Sequence, residues 1–134
     1  MNNSRAHPHF DDRGTLDWET SLHAAMARAK ADGRLIFIEF GREACSQCRS
    51  LVQNVVPRPQ VAALLRQHFV AMASDCDDPE PEVEELAMKL EDAMSLPFVI
   101  FADASGQFLE GSSGAVSAGD LQATLERLVK ANVG

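Results

Sequence analysis

Three short apolar runs, at residues 35–40, 69–73 and 97–102, alternate with stretches whose apolar residues recur about once per helical turn, and this alternation constrains the fold most. The runs are Leu35-Ile36-Phe37-Ile38-Glu39-Phe40, Phe69-Val70-Ala71-Met72-Ala73 and Pro97-Phe98-Val99-Ile100-Phe101-Ala102. Each is short, rich in residues that favour extended backbone and almost without polar breaks, as in a strand covered on both faces. Helices between the early strands imply parallel crossovers. The third run is followed by Asp103-Ala104-Ser105-Gly106 and a brief strand at 107–109, which predicts a hairpin. The expected order is α-β-α-β-α-β-β-α: an α/β fold with a central mixed sheet of four to five strands and helices on both faces.

The first helix is expected to start from Asp17 as its cap, with Trp18, Leu22, Met26 and Ala29 on one face, and to end near Gly33. Trp18 is then a core residue. The second opens at Cys45 and turns Cys48, Leu51, Val52 and Val55 inward until Pro57 and Pro59 interrupt it, and Val61, Leu64 and Leu65 carry a further helix toward His68. Seven of the eleven residues from 75 to 85 are acidic, which suits the start of a helix whose stripe is Val83, Leu86, Ala87 and Leu90. Ser117-Ala118-Gly119-Asp120 has the pattern of a capping box ahead of Leu121, Leu125, Leu128 and Val129.

A chain of 134 residues makes one domain, placed at 15–134. Residues 1–14 are polar enough to be read as a flexible or loosely docked N-terminal arm. The net charge of −8, from 20 acidic and 12 basic side chains, would repel phosphate backbones and anionic membrane surfaces, so neither nucleic acid nor membrane is expected as a partner. The sequence shows no apolar run of the roughly 20 residues a membrane span needs, and its first residues lack the apolar core of a secretory signal. As written it reads as cytoplasmic; a trimmed periplasmic protein would look the same.

Of three cysteines, Cys45 and Cys48 form a close pair at the predicted first turn of a helix that follows a strand. Unpaired backbone N–H groups and the positive end of the helix dipole favour a thiolate there, which makes Cys45 the candidate nucleophile. Three residues on, Cys48 lies on the same face and can resolve a mixed disulfide. The competing readings are half of a zinc site and inert structural cysteines. The remaining nitrogen and sulfur ligands, Cys76, His7, His9, His23 and His68, show no paired spacing, so no metal is assigned. His7-Pro8-His9 is read as part of the arm. Cys76 sits among Asp75, Asp77 and Asp78, whose charge should raise its pKa and leave it a bystander. The acidic segment lacks the glycine and spacing of a calcium loop.

Taken together, Phe37-Ile38-Glu39-Phe40, the Cys45/Cys48 pair, Pro59-Gln60-Val61, Leu96-Pro97-Phe98-Val99-Ile100-Phe101 and Gly114-Ala115 resemble the thioredoxin superfamily over about residues 17–132. The chain is similar in particular to the C-terminal domain of the membrane thiol:disulfide interchange protein. The resemblance implies a thioredoxin-like fold and thiol:disulfide oxidoreductase activity without a bound cofactor. Its substrates would be disulfide-containing proteins or small thiols, with a separate reductase or oxidant resetting the dithiol. It also implies that Pro97 is cis and lies against the dithiol, with the Leu96 backbone pairing with substrate; without it, a trans proline opening a strand is the ordinary reading. Glu39 matches the buried acid that serves the resolving cysteine as a base, the alternative being a strand-end glutamate in solvent or paired with Arg or Lys.

Three departures stand out. Ala44 replaces the tryptophan usual before the first cysteine, Ser46-Gln47 replaces Gly-Pro, and the lysine that often neighbours the buried acid is read as Met72. The missing tryptophan and the acidic surface motivate a second reading, a thioredoxin-fold adaptor or chaperone with weak or no redox turnover. A third reading is metal delivery through the dithiol.

Overall fold

The computed structural model describes residues 5–132. Five strands form one sheet in the order β1-β3-β2-β4-β5, from β1 (Trp18–Glu19), β2 (Leu35–Gly41), β3 (Phe69–Asp75), β4 (Phe98–Ala102) and β5 (Phe108–Ser113). β1 and β2 run parallel to β3, whereas β4 is antiparallel to both β2 and β5, so the expected mixed sheet is present. The helices are α1 (Leu22–Asp32), α2 (Ser46–Ser50), a π-helical turn (Leu51–Val55), α3 (Pro59–His68), α4 (Pro81–Ala87) and α5 (Ala118–Asn132).

Side chains of successive strand residues point to opposite faces, and this divides the core in two. Ile36, Ile38 and Phe40 of β2 join Val70, Met72 and Ile100 under α1 and α4, while Phe37 joins Ala71, Ala73, Val99 and Phe101 under α2, α3 and α5. Glu39 shares the parity of Phe37 and so faces the layer that carries Cys48. Met72 lies on the other face, and the residue registered against Glu39 is Ala73. The placement of Met72 beside the acid is thereby corrected: a one-residue step along a strand reverses the face.

The start of the fold differs from expectation. Trp18 and Glu19 extend the sheet as β1, and α1 begins three residues later, capped by Ser21, whose hydroxyl accepts from the Ala24 N–H. Asp17 caps nothing; it accepts from the Arg5 N–H and pairs with Arg28. Trp18 and Leu22 sit four apart by coincidence rather than on one helix, but Trp18 is core as expected, 1% exposed. The π turn, closed by Val56 N–H on the Leu51 carbonyl, adds a residue to the turn, so that Val56 rather than Val55 is fully buried. The final hairpin is longer than expected, with β5 reaching Ser113, and α5 opens as anticipated with Ser117 Oγ accepting from the Asp120 N–H.

Residues 7–12 are docked, in contrast to a flexible arm; residues 1–4 of that segment lie outside the described residues. Phe10 is 4% exposed and carries the Arg49 guanidinium over its ring. Asp12, 3% exposed, accepts from Thr15 N–H, Leu16 N–H and the Trp18 indole N–H. A polar composition concealed a segment whose acid and aromatic are both satisfied inside the protein.

Candidate active site

β2 ends at Gly41, and three exposed residues lead to Cys45, the N-cap of α2. Cys45 has extended backbone, and its Sγ accepts from the Cys48 N–H at 3.2 Å, one of the donors the helix itself cannot satisfy. Cys45 and Cys48 are joined as a disulfide. Their exposure is unequal: Cys45 is partly open to solvent and Cys48 wholly buried. Only Cys45 can meet an incoming molecule.

Glu39 lies under this pair, 1% exposed. Its Oε1 contacts His7 Nε2 at 2.7 Å, and Oε2 has no hydrogen-bond partner among the described residues. Gly41 shows where Oε2 points. A Cβ placed on Gly41 would overlap Glu39 Oε2 and stand 2.6 Å from Cys48 Sγ, so oxygen and sulfur flank the space that the missing side chain leaves open. A carboxylate buried without solvation is costly unless paired, so this arrangement depends on His7. The alternative of an exposed or Arg/Lys-paired glutamate is thereby corrected: the partner is a histidine from the N-terminal segment. Sequence reasoning missed His7 because the contact spans 32 residues; the only local hint was a histidine followed closely by Phe10 and Asp12.

The Leu96–Pro97 bond is cis, as the resemblance implied. Pairing of β4 with its neighbours begins at Phe98, which leaves Leu96 just outside the ladder, while the Pro97 carbonyl accepts from the Gly114 N–H at 2.9 Å. Leu96 is half-buried and packs against both cores.

Cys76 follows β3 and donates its N–H to the Gly41 carbonyl at 2.7 Å. Burial pushes its thiol pKa up, with Asp77 and Asp75 adding to the effect, against the Arg42 guanidinium, which lowers it. The direction matches expectation, but burial is the larger cause. With Asp75 and Asp77, Cys76 forms the only group of three candidate metal ligands among the described residues, and Asp77 is already paired with Arg42 at 3.0 Å. No helix among those residues is long and apolar enough to cross a membrane.

A family model described as thioredoxin-like matches residues 17–104, a span that contains β1 to β4, the dithiol, Glu39 and the cis proline. The chain belongs to the thioredoxin-like family. Among solved structures, a thioredoxin from Thermus thermophilus is similar over 89% of this chain and 91% of its own, with a TM-score of 0.71 and 24% identity. A disulphide isomerase from Xylella fastidiosa matches over 96% and 99% of the two chains, with a TM-score of 0.64 and 18% identity. The oxidised C-terminal domain of DsbD from Neisseria meningitidis matches over 78% and 90%, at 0.59 and 18%. These likenesses establish the fold. No curated protein sequence matches the chain. Residues 7–12, which supply the partner of Glu39, lie outside the matched span.

Proposed function

We propose that this thioredoxin-like protein is a thiol:disulfide oxidoreductase that reduces or exchanges disulfides in protein or small-thiol substrates. The observation that carries this reading is the placement of Cys45 as a helix N-cap, partly open to solvent, with Cys48 buried behind it within bonding reach. In the reduced protein the Cys48 N–H that meets Cys45 Sγ, with the helix dipole behind it, favours its thiolate. That thiolate attacks a substrate disulfide, forms a mixed disulfide and releases the first substrate sulfur as a thiolate. Cys48 then loses its proton and attacks Cys45 Sγ, releasing the second substrate thiolate and leaving the Cys45–Cys48 disulfide. Two electrons have passed to the substrate, and a separate dithiol reductant restores the pair; an oxidant in its place would run the same steps in reverse.

Glu39 Oε2 takes the Cys48 proton, directly or through a water. Leu96, outside the ladder beside cis Pro97, offers its backbone to an extended substrate peptide. Cys76 takes no part. The test is insulin disulfide reduction by dithiothreitol with wild type and Cys45→Ser. Turnover that depends on Cys45 supports the reading, and equal rates with and without wild-type protein would leave a thioredoxin-fold adaptor in its place.

A further inference from the structure

We propose that His7 is a positioning residue for the dithiol, holding one oxygen of Glu39 so that the other is presented to Cys48. The inference rests on the oxidoreductase reading and assigns part of its machinery to a segment outside the matched family span.

The hydrogen bonds of His7 determine its tautomer. Nδ1 meets the backbone N–H groups of His9 at 3.0 Å and Phe10 at 3.2 Å. Amide N–H groups only donate, so Nδ1 carries a lone pair and no proton. The ring proton is therefore on Nε2, and the 2.7 Å contact is a donation from Nε2–H to Glu39 Oε1. A proton on Nδ1 would deprive the buried Phe10 N–H and the partly buried His9 N–H of their acceptor. The ring is held in place by its other neighbours: Phe10 stacks at 5.3 Å and Trp18 meets it edge-on at 4.7 Å. The charged and titratable groups around this cluster are directed elsewhere. His9 Nε2 faces Asp75 at 4.0 Å, Asp12 is occupied by three N–H donors, and Arg49 lies over Phe10.

With Oε1 occupied, the remaining acceptor capacity of Glu39 is concentrated at Oε2, which borders the same Gly41 space as Cys48 Sγ. A proton moving between Cys48 and Glu39 therefore travels to a defined atom. Without His7 the carboxyl can rotate, and either oxygen can turn away from the sulfur. The segment carrying His7 is clamped to the π-helical turn that continues the helix carrying Cys48: Gln53 Nε2 donates to the Asp11 carbonyl at 3.0 Å, and Phe10 packs in the same core cluster as Cys48. The arm is thus a structural part of the active site.

Two substitutions separate this role from simple support of the chain. In His7→Asn the amide oxygen can take the place of Nδ1 and keep the turn, but nothing reaches Glu39; in His7→Gln the amide nitrogen can take the place of Nε2. H7N is expected to lower kcat for insulin reduction about tenfold, the effect of losing a hydrogen bond to a charged group, and H7Q to restore most of it. In a Glu39→Gln background, H7N is expected to change kcat less than twofold. A folded H7N with wild-type kcat, an H7Q no better than H7N, or an equal loss in both backgrounds would overturn the proposal. A second readout is independent of turnover: imidazole nitrogen NMR of the whole protein at neutral pH is expected to show His7 protonated at Nε2 and bare at Nδ1. A proton on Nδ1 overturns the proposal even if the enzyme is active. The expected tautomer in a protein without cysteine-dependent turnover would sink the oxidoreductase reading instead.

Discussion

The substitution Gly41→Ala puts the close approach of Glu39 and Cys48 to a direct test. Gly41 has no positive φ, so alanine is conformationally allowed and should gain about 0.4–1 kcal/mol by restricting the unfolded chain. Against this, the added Cβ would stand 2.6 Å from Cys48 Sγ and 3.3 Å from Cys48 Cβ, and would overlap Glu39 Oε2. Neither neighbour moves freely, because the sulfur is tied to Cys45 and the carboxyl to His7. Overpacking of a tight interior costs about 1–3 kcal/mol. The clash therefore outweighs the gain, and the disulfide form should lose about 1–2 kcal/mol, measured by urea unfolding. Reduction frees Cys48 Sγ to rotate away, so much of the penalty falls on the oxidised form alone. The dithiol potential should then rise by about 20–40 mV in equilibrium with glutathione, at about 30 mV per 1.4 kcal/mol. In a Cys45→Ala/Cys48→Ala background the sulfur is absent, and the cost of G41A should shrink. A G41A protein at least as stable as wild type, with the same potential, would refute the placement of both groups around Gly41.

Asp12→Ala should destabilise the protein by about 2 kcal/mol or more, because it leaves the Leu16 N–H and the Trp18 indole N–H without their acceptor in the interior, while the Thr15 N–H keeps the Asp12 backbone carbonyl; a loss under about 1 kcal/mol in urea unfolding followed by Trp18 fluorescence would contradict that network. Cys76, with its thiol pKa pushed up, holds less thiolate at neutral pH than an ordinary cysteine, so its alkylation should be slower than that of a free thiol there and accelerate as the pH rises past 9. Rapid labelling of Cys76 in peptide maps at pH 7 would show that Arg42 outweighs burial. Cys45 in the reduced protein should be alkylated faster than Cys76 under the same conditions.

Much of the sheet was legible because its information is local. A strand buried on both faces must be almost wholly apolar, and 35–40, 69–73 and 97–102 could hardly be anything else. Ser117 and Asp120 mark a helix start through bonds that span three residues. The same locality failed at Trp18, where a spacing of four was shared by a helix and by a strand followed by a turn. It was incomplete at Val55, which packs at the edge of the core while Val56 is fully buried, because a π turn shifts the inward position by one residue and leaves no mark in the apolar pattern. Met72 was assigned to the wrong side of the sheet because the face a residue takes depends on register, which the partner strand sets.

The dithiol belongs to the first kind of information. Cysteines three apart at the start of a helix are brought together by the helix itself, and their pairing could be read from spacing alone. The environment of Glu39 belongs to the second. An isolated acid in an apolar strand signals that some partner must exist, since burial without one is too costly, but it cannot say which. That choice fell to the fold, which carries a polar N-terminal segment across the sheet and seats His7 against residue 39. The reason is one of range: backbone geometry acts over a few residues, whereas a buried charge is satisfied by whatever the tertiary structure brings to it.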